Sequence, residues 1–278
     1  MKHILGIIAS PRKLGNCELM VKEIIRHVPE PHDVQLVRLQ DFDIKPCKAC
    51  YRCLFDKERC VIEDDLNKIL DPILEADAII VAAPTYLLGA SAVLKLFQDR
   101  GLAFSAHIDR LWGKPSIGVG IAGIPGKEGR ILLDIQSFLT FLKTDIKQTR
   151  LVFGALPGEV FFNEANRQAA KLLGQSLFGE KTIPEQPCCT LCGGDTFRFL
   201  ENGQVRCMLC SNAGSMEWTP RGPVISIQRG EHEMILTKAD VIHHREWLRG
   251  MKHRFAEEKS RIRDIAIPYK EGWNWIRP

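Results

Sequence analysis

Five short strand-like runs, at residues 4–9, 34–39, 78–83, 116–121 and 149–156, alternate with helical patterns at 17–27, 63–74, 90–104, 128–142 and 163–178. This alternation constrains the chain more than any other feature. Runs such as ILGIIA and AIIVAA are apolar on both alternating sets of positions, so strands built from them must be covered on both faces. Strands alternating with helices place a parallel sheet between two helical layers. The expected architecture is a three-layer α/β sandwich with a five-stranded parallel sheet over residues 1–181, a length typical of one domain. Residues 182–187, with two prolines, read as a linker.

Cysteine usage carries the chemistry. Of ten cysteines, Cys17 stands alone and the other nine fall in two groups. The first is CKACYRCLFDKERC, in which Cys47, Cys50, Cys53 and Cys60 follow C-x2-C-x2-C-x6-C. A tight loop that gathers four thiolates is what a four-iron cluster needs. The fourth cysteine is not followed by proline and no second such run exists, so all four are expected on one [4Fe–4S] cluster. Four thiolates also suit zinc, and a metal-free thiol loop is a third reading. The closely spaced triplet favours iron–sulfur.

The second group contains Cys189-x2-Cys192 and Cys207-x2-Cys210, with Cys188 left over. Residues 196–200 and 204–208 are expected to form a hairpin across Glu201-Asn202-Gly203. Two CxxC knuckles joined by a hairpin read as a zinc ribbon over residues 187–214, with mononuclear rubredoxin-like iron as the alternative. So small a module has little core, and metal would supply much of its folding energy. Residues 215–278 read as a strand and helix tail. Its helix, at 239–262, is basic and amphipathic, a candidate packing or dimerisation element or a docking face.

Bulk properties exclude several classes. The chain is 45% hydrophobic and 26% charged, ordinary for a globular protein. No apolar run approaches the roughly 20 residues needed to span a bilayer. The apolar core of the first residues, about six long, fits a buried strand better than a signal peptide. A cytoplasmic location is therefore expected, where ten cysteines point to metal rather than disulfides. A net charge of +4 is too mild to argue for nucleic acid. No Ser/His/Asp or paired-carboxylate constellation suggests hydrolysis.

The loop SPRKLGN joins the first strand to the first helix, where the helix N-terminus offers free N–H groups to an anion. LGIIASPRKLGNCELM resembles the opening of the NADPH-dependent FMN reductases and related flavodoxin-like proteins. APTYLLGASAVLKLFQDR, residues 83–100, resembles the segment of that family that holds the isoalloxazine ring. With the four-cysteine loop between them, the chain resembles the iron–sulfur flavoprotein branch of the family over residues 1–178.

That resemblance implies a flavodoxin-like fold and a set of FMN contacts. Ser10, Arg12, Gly15, Asn16 and Cys17 would line the phosphate, Cys17 through its backbone N–H. Pro84, Thr85 and Tyr86 would meet the ring, Gly89 would allow close backbone approach, and Ala122 and Gly123 would begin a third flavin-facing loop. Lys95, Asp99 and Arg100 are read as structural or at a subunit contact. The implied activity is electron transfer, with FMN exchanging two electrons or a hydride with one partner and the cluster passing single electrons to another. Ferredoxin or NAD(P)H is the implied donor, and a homodimer or homotetramer the implied assembly. Two other readings stay open: an NAD(P)H-dependent FMN or quinone reductase with a structural cysteine loop, and a non-enzymatic metal-ribbon module that binds a partner.

Overall fold

The computed structural model describes residues 1–55, 58–181, 187–220 and 222–276. Apart from Pro187, the expected linker lies outside these residues. In chain order the first unit comprises β1 (Lys2–Ile8), α1 (Asn16–Arg26), β2 (His32–Arg38), α2 (Arg52–Phe55), α3 (Leu66–Glu75), β3 (Ala78–Tyr86), β4 (Gly89–Ala90), α4 (Ala92–Gln98), α5 (Leu102–Ser105), α6 (Ile108–Leu111), β5 (Pro115–Ala122), α7 (Ile131–Phe141), β6 (Asp145–Phe153) and α8 (Glu164–Ser176). Five strands run parallel in the order β2-β1-β3-β5-β6, and the two-residue β4 turns back antiparallel on β3.

Both faces of the sheet are buried. Leu5, Ile7, Ile79 and Val81 point into the core beneath α3, α4 and α7. Ile4, Ile8, Ile80 and Val119 point into the core beneath α1 and α8. This is the flavodoxin-like sandwich. The strand order reverses between β1 and β3, so the carboxyl ends of these two strands flank the crevice where such sheets bind ligands.

Two elements differ from expectation. The third helical pattern does not begin at Ala90, because Gly89 and Ala90 pair with Tyr86 and Thr85 in a hairpin. It is then interrupted at Asp99–Gly101, between α4 and α5. The helix expected from Glu63 begins at Leu66. Asp64 and Asp65 are drawn away from the first turn to close the neck of the cysteine loop: Asp65 accepts from the Asp43 N–H at 2.9 Å, and Asp64 from the Lys45 N–H at 3.0 Å.

The second unit is a four-stranded antiparallel sheet in the order β10-β9-β8-β7. Its strands are β7 (Phe197–Phe199), β8 (Gln204–Cys207), β9 (Ala213–Thr219) and β10 (Gly222–Ile227). The expected hairpin forms, with left-handed Asn202 and Gly203 at its turn, and β9 and β10 extend it. Then α9 (Lys238–Glu257), opened by a Thr237–Asp240 capping box, leads into α10 (Lys259–Ala266). Among the described residues, no helix is long and apolar enough to cross a membrane.

Lys143 follows α7 in the left-handed conformation common just past a helix end. Its side chain is buried, lies 5.3 Å from the Phe141 ring centroid, and has no hydrogen-bond partner among the described residues. Burial pushes its pKa down to about 8 from 10.5. Between those values the unfolded chain holds this proton and the native state has shed it, so stability rises with pH across that window. Below about pH 8 the cost of the buried charge is present in full. Lys143→Met is therefore expected to stabilise the protein at pH 7, with its advantage shrinking as pH rises from 8 toward 10.5, as measured by urea denaturation at both ends.

Candidate functional site

Five loops leave the carboxyl edge of the sheet, after β1, β2, β3, β5 and β6. The loop after β1 is held from below by its own helix. Leu14 is left-handed, and a Cβ on Gly15 would lie 2.8 Å from Arg12 Cβ, so only glycine fits this bend. Gly15 caps α1 without a side-chain hydrogen bond, leaving the first N–H groups of the helix open to an anion. Glu18, which the sequence reading did not single out, accepts from the Leu14 N–H at 2.8 Å and from Lys22 and Arg38. Burial alone would raise its pKa, but these hydrogen bonds hold it below the ordinary value.

Arg12 and Asn16 stitch this loop to the one after β6. Arg12 donates to the Ala155 carbonyl at 3.1 Å. Asn16 donates to the Gly154 carbonyl and accepts from the Gly158 N–H, both at 2.8 Å. Its amide is thus committed to the scaffold, leaving its backbone N–H to face the opening of the loop. Gly123 completes the contact, since a Cβ there would stand 3.4 Å from Ala155 Cβ, and buried Ala122 accepts from the Gly154 N–H. Ser10 is buried and hydrogen-bonded to the Cys17 thiol.

Burial pushes Cys17 up to about 12, against the hydrogen bond from Ser10 and the charge of Arg12. Relative to its ordinary value of 9.0, that leaves about a thousandfold less thiolate at neutral pH. Cys17 is expected to resist iodoacetamide in the folded protein and to react once denatured. Mass spectrometry of labelled peptides checks this, and rapid native labelling would contradict it.

The loop after β3 is a hairpin whose two central residues, Leu87 (φ 48°) and Leu88 (φ 65°), are both left-handed. Two-residue hairpins ask for this geometry, but ordinarily from Asn-Gly. Leucine makes it strained, which explains why nothing in the sequence marks a turn here. The hairpin is held by the Ala90 N–H on Asp134 at 2.8 Å and the Arg130 N–H on the Leu88 carbonyl at 2.9 Å. Ser91 ties it to the Ala9 carbonyl, beside the first loop. Pro84, Thr85, Tyr86 and Gly89 therefore share one hairpin, with Tyr86 exposed at its tip. Among the described residues, Thr85 Oγ1 is buried without a hydrogen-bond partner, an orphan that a polar ligand would satisfy. Replacing Leu87-Leu88 by Asn-Gly is expected to raise stability by about 1–2 kcal/mol through relief of left-handed strain, measured as a shifted urea midpoint at constant slope.

The cysteine loop leaves the carboxyl end of β2 and returns to α3. Ala49 and Tyr51 take left-handed conformations, as tight turns between ligands require. The Cys53 thiol is pushed up to about 11, first by burial and then by the neighbouring Cys60, Cys47 and Cys50. Cys47 and Cys50 are exposed, while Cys60 is clamped. Asn67 bonds both the N–H and the carbonyl of Cys60, at 3.2 and 2.9 Å. Arg100 donates to Cys60 Sγ at 2.9 Å and forms an ion pair with Asp64, and both charged side chains are buried. Asp64 and Arg100 are the functional-site residues that sequence reasoning missed. Their signal was only an acidic cluster and a DR dipeptide, with nothing to join them across 36 residues.

The ribbon cysteines are arranged differently. The sulfurs of Cys189, Cys192, Cys207 and Cys210 all lie within 4.8 Å of one another. Four sulfurs this close suit one ion such as zinc or iron. Gly193 and left-handed Ser211 turn the two knuckles, and the Gly194 N–H bonds Cys192 Sγ at 3.4 Å. The loop cysteines do not form so tight a group among the described residues. Cys188 lies outside the cage.

The sequence pattern of the NADPH-dependent FMN reductases matches residues 2–150. The chain belongs to this family. An iron–sulfur flavoprotein of Archaeoglobus fulgidus is 32% identical over 174 residues, covering 60% of this chain and 86% of that one, and places it in the iron–sulfur flavoprotein branch. An iron–sulfur flavoprotein of Methanocaldococcus jannaschii is 38% identical over 98 residues, 35% of this chain and 50% of that one. One of Methanosarcina thermophila is 35% identical over 121 residues, covering 43% and 63%. The chain thus spans half to somewhat under two thirds of the latter two relatives. A solved flavone reductase shares the fold over 99% of this chain and 100% of its own, with a TM-score of 0.69 at 17% identity. For this FMN reductase family member, the C-terminal extension is therefore part of a fold seen elsewhere.

Proposed function

We propose that the protein is an iron–sulfur flavoprotein oxidoreductase that passes electrons between a two-electron partner, served by FMN, and a one-electron carrier, served by a [4Fe–4S] cluster. The observation that carries this reading is the placement of the four-cysteine loop and the phosphate-type loop on the same carboxyl edge of one sheet. Family membership supports FMN, and the orphaned Thr85 hydroxyl and the uncapped N-terminus of α1 fit it.

FMN supplies two-electron and one-electron chemistry when bound. Ser10, Arg12 and the N–H groups of Asn16 and Cys17 would bind its phosphate, with Gly15, whose N–H donates to the Arg12 carbonyl at 3.3 Å, shaping the bend that lines it. The hairpin from Pro84 through Thr85 and Tyr86 to Gly89 would hold the ring, with the Thr85 hydroxyl offering it a hydrogen bond and Tyr86 flanking it. Ala122 and Gly123 close the third side. Cys47, Cys50, Cys53 and Cys60 hold the cluster, with two exposed thiolates toward solvent, where a carrier such as ferredoxin can approach. NAD(P)H is the alternative donor. The ribbon cage holds zinc as a structural ion, or a mononuclear iron. A homodimer or homotetramer would bring flavin and cluster sites of different subunits together.

Anaerobic purification followed by assay of flavin, iron, acid-labile sulfide and zinc tests the reading. About one FMN, four iron, four sulfide and one zinc per chain is the expected result. A fifth iron without zinc assigns iron to the ribbon. FMN without sulfide would reduce the protein to a plain FMN or quinone reductase, and no FMN would overturn the proposal.

A further inference from the structure

Arg100 does more than brace the fold. Its guanidinium is buried, with the side chain 1% exposed, and every partner it touches belongs to the cysteine loop or its neck. One nitrogen donates to the Lys45 carbonyl at 2.5 Å and also meets the Asp64 carboxylate; the other donates to Cys60 Sγ at 2.9 Å and to Asp64 Oδ1 at 3.3 Å. Asp64 is itself 0% exposed and fixed by the N–H groups of Lys45 and Leu66. The guanidinium is therefore locked by three oxygens and aimed at one sulfur. A thiol needs no cation 2.9 Å away to pack in a protein. A thiolate ligand whose negative charge grows on reduction is stabilised by one.

We propose that Arg100 is a positioning and potential-setting residue for the cluster, acting through its hydrogen bond to Cys60. This rests on the cluster assignment made above for Cys47, Cys50, Cys53 and Cys60. Reduction adds one electron and no atom to the four-thiolate site, and the added charge is spread partly over the sulfurs. An N–H donor with a full positive charge stabilises that state more than the oxidised one, so it raises the potential. Cys60 carries this charged donor and its backbone is also clamped at both groups by Asn67, while Cys47 accepts from the Ala49 N–H at 3.4 Å and Cys47 and Cys50 face solvent. A cluster there would be held on the Cys60 side by Arg100 and Asn67 and would face solvent on the Cys47 and Cys50 side, the asymmetry expected of a centre that exchanges electrons with a docked carrier.

Two variants separate this role from bracing. Arg100→Lys keeps the charge but loses the planar fork that spans Asp64 and Cys60 together. The double variant Arg100→Met with Asp64→Asn removes both charges at once and leaves no unpaired buried ion, while the side-chain oxygen of Asn can still accept at the loop neck where Asp64 takes the Lys45 and Leu66 N–H groups. The measurements on the whole protein are iron and sulfide per chain, FMN per chain, the thermal midpoint, and the cluster midpoint potential from a dye-mediated redox titration followed by electron paramagnetic resonance.

The expected result is full iron, sulfide and FMN in the parent, and a fall in the reduction equilibrium of at least about tenfold in the double variant, which for a one-electron couple is about 59 mV. Arg100→Lys should fall between the two. An unchanged potential in both variants, with four iron per chain retained, would overturn the role of Arg100 and leave the cluster assignment standing. A parent that holds FMN but neither iron nor sulfide would overturn both, and the two failures are told apart by the metal assay alone.

Discussion

Cys207→Ala is expected to unfold the C-terminal ribbon, and it is the largest effect anticipated here. The sheet from β7 to β10 has a core of only Cys189, Val205, Cys207, Cys210 and Ile227 with a few half-buried neighbours. Three of these five are cage ligands. So few apolar groups do not offset the entropy of ordering four strands. A four-thiolate ion contributes about 10–16 kcal/mol of apparent binding energy at neutral pH in comparable small modules, and that energy is folding energy. Losing one ligand, or stripping the ion with a strong chelator, should expose residues 188–227 to protease while the α/β unit keeps its own cores. Limited proteolysis with mass spectrometry checks this. A ribbon that stays protected after the ion is removed would show that packing alone sustains it.

Asp64→Ala should cost about 3–5 kcal/mol, the range for removing one partner of a buried ion pair and leaving the other uncompensated. Arg100 would then sit buried with only the Lys45 carbonyl and the Cys60 sulfur as acceptors, and its Nε is already without a partner. The same change opens the loop neck, because Asp64 also accepts from the Lys45 and Leu66 N–H groups. The effect has a pH signature. Burial would raise the Asp64 pKa, but the hydrogen bonds from Arg100, Lys45 and Leu66 outweigh it and hold the pKa below the ordinary 3.8. A depressed native pKa contributes stability that is present above the ordinary value and lost as pH falls through the native one. Parent and variant should therefore differ fully at pH 7 and converge in strong acid. Urea denaturation at pH 7 and near pH 3 measures both terms, and a difference independent of pH would place the cost in packing instead.

Local sequence determined much of this protein. Both-face apolar runs required a doubly covered parallel sheet, and the five strands and their flanking helices follow from that pattern. Knuckle spacing placed Cys189, Cys192, Cys207 and Cys210 in one cage, because a CxxC turn and a short hairpin are local geometry. The spacing of Cys47, Cys50 and Cys53 likewise puts three thiols on one short loop. Tertiary structure alone decided what lies between distant segments. Asn16 looked like a phosphate contact by sequence, yet its amide is spent on Gly154 and Gly158, which only the packing of the β6 loop against α1 brings near. Leu87 and Leu88 carry no turn chemistry, and their left-handed pair is imposed by Asp134 and Arg130 from another helix. By sequence Asp64 falls in the first turn of a helical pattern, and Arg100 reads as structural or at a subunit contact. Their burial against Cys60 depends on α4 ending beside the neck of the cysteine loop, a long-range contact that no local propensity encodes.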